Sequence, residues 1–324
     1  MGQGCLSKKT DYNRLIDAEM WAYIRRLDAT YPPNAVSLDV AGQRRLYDEM
    51  CAIFRQPRPE GVEVEEVAFG GVPCRSYVSG DSNVTVIYYH GGGFIVGGLD
   101  SHDDVCAEIC DRTGYRVISV DYSLAPETVF PGCFNDAWSA FGAICEECPD
   151  DIVLCGDSAG GKLAASVAHH ARGRIDGRVI GQVLIYPGFG GDITKGSYVT
   201  HAEAPHLTLA DIAFYRDIRL GGAERPTDDP RYSALLDTDF TGVPPTVIVT
   251  AECDPVSSDG ETYRDLLRDA GVPAHWSEVK GMVHACLRAR NMSQKAAGFF
   301  DEVVEAVAAL GKGEWPYAPS QPRT

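Results

Sequence analysis

Ile152-Val153-Leu154-Cys155-Gly156-Asp157-Ser158-Ala159-Gly160-Gly161-Lys162 is the stretch whose reading decides the fold. A short apolar run of strand type ends in a glycine-flanked serine, and a long helical pattern begins near Lys162. A strand that passes into a helix through so tight a turn strains the backbone of its apex residue and lifts that side chain above the sheet. The flanking glycines keep other side chains clear of the apex. Gly-x-Ser-x-Gly spellings arise by chance in many proteins. The strand before this one and the helix after it make Ser158 a candidate nucleophile.

Upstream, a second strand-like run, Val84-Thr85-Val86-Ile87-Tyr88-Tyr89, leads into His90-Gly91-Gly92-Gly93-Phe94. A serine nucleophile needs preorganised donors for the oxyanion it creates, and backbone N–H groups of a glycine run supply them without steric obstruction. A phosphate cradle would instead need Gly-x-x-x-x-Gly-Lys-Ser/Thr, which does not follow here. About 66 residues separate this loop from Ser158, room for a strand, two helices and another strand. Downstream, the acid and then the base are expected. Of the two late histidines, His275 alternates with a strand pattern, whereas His284 lies in a loop, Lys280-Gly281-Met282-Val283-His284, that opens toward the last helix. His284 is therefore the expected base. Thr246–Ala251 reads as a buried strand followed by Glu252-Cys253-Asp254-Pro255. Asp254 is the natural partner for the imidazole, with Glu252 and Asp259 as alternatives. An aspartate before proline can also serve only to cap a helix.

With these segments in view, the chain resembles the hormone-sensitive-lipase branch of the α/β-hydrolase carboxylesterases, including the bacterial type IV esterases. The resemblance runs from about residue 84 to about 290. It rests on His90–Phe94, Asp121-Tyr122-Ser123-Leu124-Ala125-Pro126-Glu127, Gly156–Gly161, Leu184-Ile185-Tyr186-Pro187, Asp254-Pro255 and Gly281–His284. It implies Ser158 as nucleophile, Asp254 as acid and His284 as base. It also implies oxyanion donors at Gly92, Gly93 and Ala159, with Gly91 a lesser contributor. A small helical cap, no metal, no cofactor and a preference for modest acyl esters come with it. The chain departs from the family in two places. Ser258 stands where another acid is usual, and Ala285-Cys286 replace a glycine and an aromatic after the base.

The 324 residues suit one large α/β unit, and 44% hydrophobic content is ample for its core. Forty-six acidic against 29 basic residues give a formal net charge of −17, which argues against nucleic acid and anionic membrane surfaces as partners. The same balance favours neutral or cationic substrates over acidic ones. Eleven cysteines, scattered and odd in number, read as free thiols in a reducing, cytoplasmic compartment. No signal-peptide core or membrane-span run is evident. Met1-Gly2-Gln3-Gly4-Cys5-Leu6-Ser7 only superficially resembles a myristoylation signal, its serine falling one place late.

Helical spacing of Leu15, Trp21, Ile24 and Leu27 predicts a helix over about 11–29, capped by Asp11 and broken by Pro32-Pro33, with a second over 39–54. Strands are expected near 62–69, 73–79 and 84–89. Alternation follows: helix 102–112, strand 115–120, helix 134–147, strand 151–155, helix 159–172, strand 179–186. It resumes with strand 245–251, helix 259–270, strand 274–279 and helix 293–310. Such a pattern implies a mainly parallel sheet with helices on both faces, in α/β-hydrolase style, with an antiparallel edge from the first strands. The expected division is cap helices over 1–55, catalytic core over 56–187 and 242–312, a cap insertion over 188–241 and a tail over 313–324. Within the insertion, a helix near 209–220 is expected to join Trp21, Phe94 and Val96 around the substrate, presenting Ile212, Phe214, Tyr215 and Ile218. His201 and His206 lack companion ligands at metal spacing and read as loop residues.

These residues together read as a serine carboxylesterase acting on small-molecule esters of short to medium acyl chains through an acyl-enzyme. An amidase of arylformamidase type would use the same groups. A non-catalytic small-molecule receptor is the remote alternative, since plant gibberellin receptors resemble this branch; those lack the catalytic histidine, and His284 is present. A homo-oligomer is left open.

Overall fold

Runs of β-branched residues alternating with amphipathic runs give the chain its layers. The computed structural model describes residues 10–30, 38–175 and 178–317. The Met1–Ser7 motif, Pro32-Pro33 and the Ala318-Pro319 end of the tail lie outside the described residues. Three helices, α1 (Tyr12–Leu15), α2 (Ala18–Asp28) and α3 (Val40–Phe54), precede the hairpin β1 (Glu63–Phe69) and β2 (Val72–Val78). Next come β3 (Val84–Tyr89), α4 (Asp103–Thr113), β4 (Arg116–Val120), α5 (Gly132–Glu147), β5 (Asp151–Asp157), α6 (Ala159–Ala171) and β6 (Val179–Ile185). The insertion carries α7 (Ser197–Thr200) and α8 (Leu209–Leu220). The chain closes with β7 (Thr246–Cys253), α9 (Ser257–Asp269), β8 (Ala274–Val283) and α10 (Gln294–Gly311).

One eight-stranded sheet has the order β1-β2-β4-β3-β5-β6-β7-β8. Among the described residues only the β1–β2 and β2–β4 pairings are antiparallel. The period of two along each strand sorts side chains between two cores. Val84, Val86 and Tyr88 of β3, with Val153 and Cys155 of β5, face the layer of α2, α4 and α10. Ile87, Tyr89, Ile152 and Leu154 face α5, α6 and α9. Ser158 therefore sits at the C-terminal edge of a central strand buried on both sides, the place in an open α/β sheet where ligands bind. Two surface hollows, one lined by Ala168, Arg172 and Thr241 and the other by Asn83, Tyr115 and Asp151, lie at the opposite end of the strands. No helix among the described residues is long and apolar enough to cross a membrane.

Three boundaries differ from expectation. The first helix is broken at Ile16, and the cap is Asp17, whose carboxylate accepts from Met20 N; Asp11 makes no side-chain cap bond. Strand β5 runs to Asp157, directly into the elbow. Strand β8 runs to Val283, so His284 follows a strand end and not a long loop. Its pairing with β7 shifts between Ala251 and Cys253. Such an irregularity re-aims the following residues, which delivers Asp254 and His284 to one place.

Candidate active site

At the end of β5 the chain reverses into α6 with Ser158 at φ 52° and ψ −116°, strained for a residue with a side chain. The turn is this tight because Gly160 packs against β3: a Cβ there would come within 1.9 Å of the Tyr89 carbonyl oxygen. Ser158 Oγ lies 2.8 Å from His284 Nε2, and His284 Nδ1 lies 2.6 Å from Asp254 Oδ2. Asp254 is fully buried, and its other oxygen accepts from Val256 N at 3.0 Å. Nδ1–H donates to the carboxylate, leaving Nε2 as the acceptor facing the serine hydroxyl. The relay can therefore take the serine proton and hold the resulting imidazolium. Tyr186 packs on the His284 ring at 4.9 Å, and Tyr23 OH donates to Ala285 O at 3.3 Å, fixing the loop that carries the base.

The other two carboxylates weighed from the sequence have different partners. Glu252 accepts from Gly281 N at 2.8 Å and pairs with Lys280 at 3.1 Å, holding the end of β8. Asp259 accepts from Gly190 N, Gly191 N and Tyr198 OH at 2.8, 3.1 and 2.8 Å, tying the insertion to α9. Burial pushes the Asp259 carboxyl up to about 6 against those hydrogen bonds. Ser258 bonds Ser197 Oγ at 2.8 Å, so the residue that replaces the usual acid also serves the insertion. His275 lies on β8, stacked on Tyr317 at 3.6 Å, in line with its strand-face reading.

The glycine loop is shaped by positive φ at Gly92, Gly93 and Phe94, at 125°, 62° and 67°. At Gly92 a Cβ would meet the Val96 carbonyl oxygen at 2.0 Å, so only glycine fits. Gly91 N donates to Asp157 Oδ1 at 2.9 Å, which commits that amide to the protein and leaves those of Gly92, Gly93 and Ala159 as the candidate donors. Asp157 also accepts from Tyr88 OH at 2.8 Å and pairs with His102 Nε2 at 3.2 Å. Burial alone would raise its carboxyl, but the charge and hydrogen bond of His102, with the Tyr88 bond, outweigh it and hold the group well below the usual carboxylate range. His102 and Tyr88 were invisible as site residues in the sequence, because nothing in a buried strand tyrosine or a helix-start histidine signals a partner many residues away. His90 stacks on Tyr122 at 4.3 Å, and burial with the neighbouring His102 lowers it to about 4, keeping the ring neutral under the loop.

Of the expected pocket residues, Val96 and Ile218 meet in one small apolar cluster with Ile95, Ala125, Val40, Tyr47 and Tyr215. Phe94 is buried with its ring face covered by the Arg219 guanidinium at 3.7 Å. Trp21 packs against the α2 side of the core, its Nε1 buried without a hydrogen-bond partner. Phe214, expected at the pocket, is 44% exposed and touches the Tyr215 ring at 5.7 Å. The inward face of α8 is set by Tyr215, Ile218 and Arg219 at i, i+3 and i+4, which turns the preceding residue to solvent. Tyr215 instead lies over the glycine loop, 2.7 Å from where a Gly93 Cβ would stand. The helix that shares this cluster with α8 is α3, through Val40 and Tyr47, whereas the expected α2 packs in the core layer of α4 and α10. Among the described residues no group of three or more His, Cys, Asp or Glu could hold a metal ion.

A family profile described as alpha/beta hydrolase fold matches residues 86–288. Carboxylesterase NlhH of Mycobacterium tuberculosis is 36% identical over 237 residues, covering 69% of this chain and 74% of its own. Ethyl acetate hydrolase of Pseudomonas putida is 28% identical over 316 residues, covering 90% and 98%. Among solved structures, a bacterial heroin esterase superposes with a TM-score of 0.81 at 28% identity, covering 93% of this chain and 98% of that one.

Proposed function

Because the chain belongs to the alpha/beta hydrolase fold family, in its hormone-sensitive-lipase-like carboxylesterase branch, and is a carboxylic ester hydrolase, we propose that it works through Ser158, His284 and Asp254 on esters of short to medium acyl chains. The observation that carries this reading is the unbroken relay of 2.8 and 2.6 Å from Ser158 Oγ through His284 to a fully buried Asp254. His284 Nε2 takes the Ser158 proton as Oγ attacks the ester carbonyl, and the N–H groups of Gly92, Gly93 and Ala159 receive the oxyanion. The tetrahedral intermediate collapses, His284 protonates the leaving alcohol, and water then repeats the cycle on the acyl-enzyme. Asp254 keeps the imidazole in the tautomer the first step needs. The Tyr215 ring stands against Gly93 over the glycine loop, and a ring so placed supports short and medium chains.

The test is turnover of p-nitrophenyl esters across a series of acyl lengths, with Ser158→Ala as control. A pre-steady-state burst, a rate that declines toward long chains and a loss on the order of 10⁴-fold in the variant are expected. Retention of activity by folded Ser158→Ala would overturn the nucleophile assignment. A rate that rises steadily toward the longest chains would overturn the substrate class.

A further inference from the structure

Three cations converge on one ring beneath the glycine loop. Arg219 of α8 lies 4.5 Å from the Tyr232 ring centre, Lys162 Nζ of α6 lies 4.4 Å from it, and Arg225 lies 6.0 Å from it. Arg219 and Lys162 are only 3% and 6% exposed. No carboxylate of the described residues lies within ion-pair distance of any of the three. Scarcity of acids does not explain this in a chain with 46 of them. Elsewhere the buried arginines Arg75 and Arg290 are paired with carboxylates, at 2.9 Å to Asp103 and 2.6 Å to Asp104, and Arg288, which has no carboxylate, donates to Ser101 O and Tyr47 OH at 2.9 and 2.8 Å. Asp259 is the acid that Lys162 senses at longer range, and its oxygens are already taken by Gly190 N, Gly191 N and Tyr198 OH.

Arg219 has Nε buried without a partner and only a 3.4 Å contact from Nη1 to Tyr232 O. Lys162 Nζ makes no hydrogen bond among the described residues and is not wholly sealed from the surface, and the exposed Arg225 donates from Nη2 to Gly190 O. The Arg219 guanidinium rests on the faces of Phe94, Phe130 and Tyr232. Cation–π contact offsets part of the cost of burying charge, but an arginine cannot relieve the rest by losing its proton. A lysine can. Burial first, then the charges of Arg219 and Arg225, push Lys162 well below the usual ammonium range.

The cluster lies on one definite side of the nucleophile. His284 and its neighbours Tyr186, Cys286 and Leu287 belong with the core layer of α2, α4 and α10, and the group that protonates the leaving alcohol marks that side as the alcohol's. Phe94 and Ala159 belong to the opposite core layer. Lys162 follows Ser158 by one helical turn, its N–H bonded to Ser158 O at 3.0 Å, which is about 5.4 Å along the axis. The acyl chain therefore leads toward the cations and the alcohol leads away from them.

We infer that Lys162, Arg219 and Arg225 form the end of the acyl pocket and take a carboxylate there, so that half-esters of dicarboxylic acids are the favoured substrate class. This rests on the serine-esterase reading above. It runs against the net charge of the whole chain, since recognition is set by the few cations at the pocket's end and not by the surface. The anion would draw a proton back onto Lys162 as it binds, completing the neutralisation.

The experiment compares mono-p-nitrophenyl glutarate with p-nitrophenyl valerate, a neutral ester of equal acyl length, in wild type, Lys162→Met, Lys162→Arg and Arg225→Gln. The readout is the ratio of kcat/KM for the two esters. Wild type should favour the glutarate half-ester by about ten-fold or more, Lys162→Met should lose that factor, Lys162→Arg should recover most of it and Arg225→Gln should lose part. A ratio below one in wild type, or the same ratio in wild type and Lys162→Met, would overturn the inference. Calorimetry with glutarate separates the two readings. Should wild type cleave neither ester, the esterase mechanism fails; glutarate binding lost in Lys162→Met would still support the anion site, and absence of binding to wild type would sink it.

Discussion

At the residue scale, the proposed mechanism separates groups that react from groups that hold them. Asp254→Asn keeps the volume but loses the charge that opposes the imidazolium and permits the wrong tautomer, so kcat should fall by orders of magnitude, on the order of 10⁴-fold, with the fold unchanged by circular dichroism. Asp259→Asn serves as the contrast, because its oxygens face the insertion and not His284. If the Asp259 variant lost turnover and the Asp254 variant kept it, the assignment of the acid would be wrong. Asp157 acts one step further away, through Gly91 N and Tyr88 OH. Asp157→Asn leaves the Ser158–His284 pair intact but loosens the loop that holds the proposed oxyanion donors. A misplacement of this kind costs on the order of 10²-fold. The expected result is a fall in kcat with little change in KM. Unaltered kcat in a folded variant would show that the glycine loop holds its shape without this carboxylate.

At the element scale, the insertion is fastened to the core at several points. Asp259 at the start of α9 grips Gly190 and Gly191, while Val40 and Tyr47 of α3 and Tyr215 and Ile218 of α8 pack against the same Ile95, Val96 and Ala125 cluster. The first fastening has a pH dependence whose sign follows from burial. The folded Asp259 carboxyl titrates at about 6, above the ordinary 3.8, so between those values the native state binds more protons than the unfolded one. Its contribution to stability is full below 3.8 and is lost as pH rises through 6. Asp259→Asn should therefore gain on wild type between pH 4.5 and 7.5 by roughly 1–3 kcal/mol, whatever the variant's absolute stability. Denaturant unfolding of both proteins at the two pH values measures it, and a relative gain by wild type would contradict the buried, raised carboxyl. Helix α2 serves a different element. Met20, Tyr23, Ile24 and Leu27 are buried in the core beside the His284 loop, each worth about 1.5–3 kcal/mol in burial. Loss of α2 is thus expected to damage the base's support before it alters acyl selectivity.

At the scale of the whole molecule, stability comes from two apolar layers on one sheet, with no cross-link among the described cysteines. Cys51, Cys74, Cys106, Cys110, Cys133, Cys148, Cys155, Cys253 and Cys286 are free and buried, and Cys145 is free and half-buried. Burial disfavours the thiolate and pushes Cys51 up to about 11 and Cys253 up to about 12. Since the thiolate is the reactive form, the strand cysteines should resist a thiol reagent until the protein unfolds. Mass spectrometry of alkylated native and denatured protein reads this directly, and thermal midpoints with and without reductant should agree. Fast native labelling of Cys155 or Cys253 would mean that the sheet opens far more often than its packing implies.

The elbow, the glycine loop and the strand–helix alternation were legible in the sequence because each is local: the apex residue, the glycines that admit it and the periodicity all lie within a few neighbours. That made Ser158 readable, along with the order of elements and the sheet's antiparallel edge. Asp254 and His284 could be narrowed but not separated from Glu252 and Asp259 by spacing alone. The choice among those carboxylates depends on where β8 ends and on the shifted pairing of β7 with β8, both properties of the assembled sheet. The exposure of Phe214 was out of reach for a similar reason, since helical periodicity gives a face but not the rotation that Tyr215 against Gly93 and Arg219 against Phe94 impose. The tie from His102 to Asp157 and the gathering of Lys162, Arg219 and Arg225 were beyond the sequence altogether. Charges far apart along the chain have no local signature, and only the closing of the tertiary structure gathers them around one ring and takes most of the water from Lys162 and Arg219.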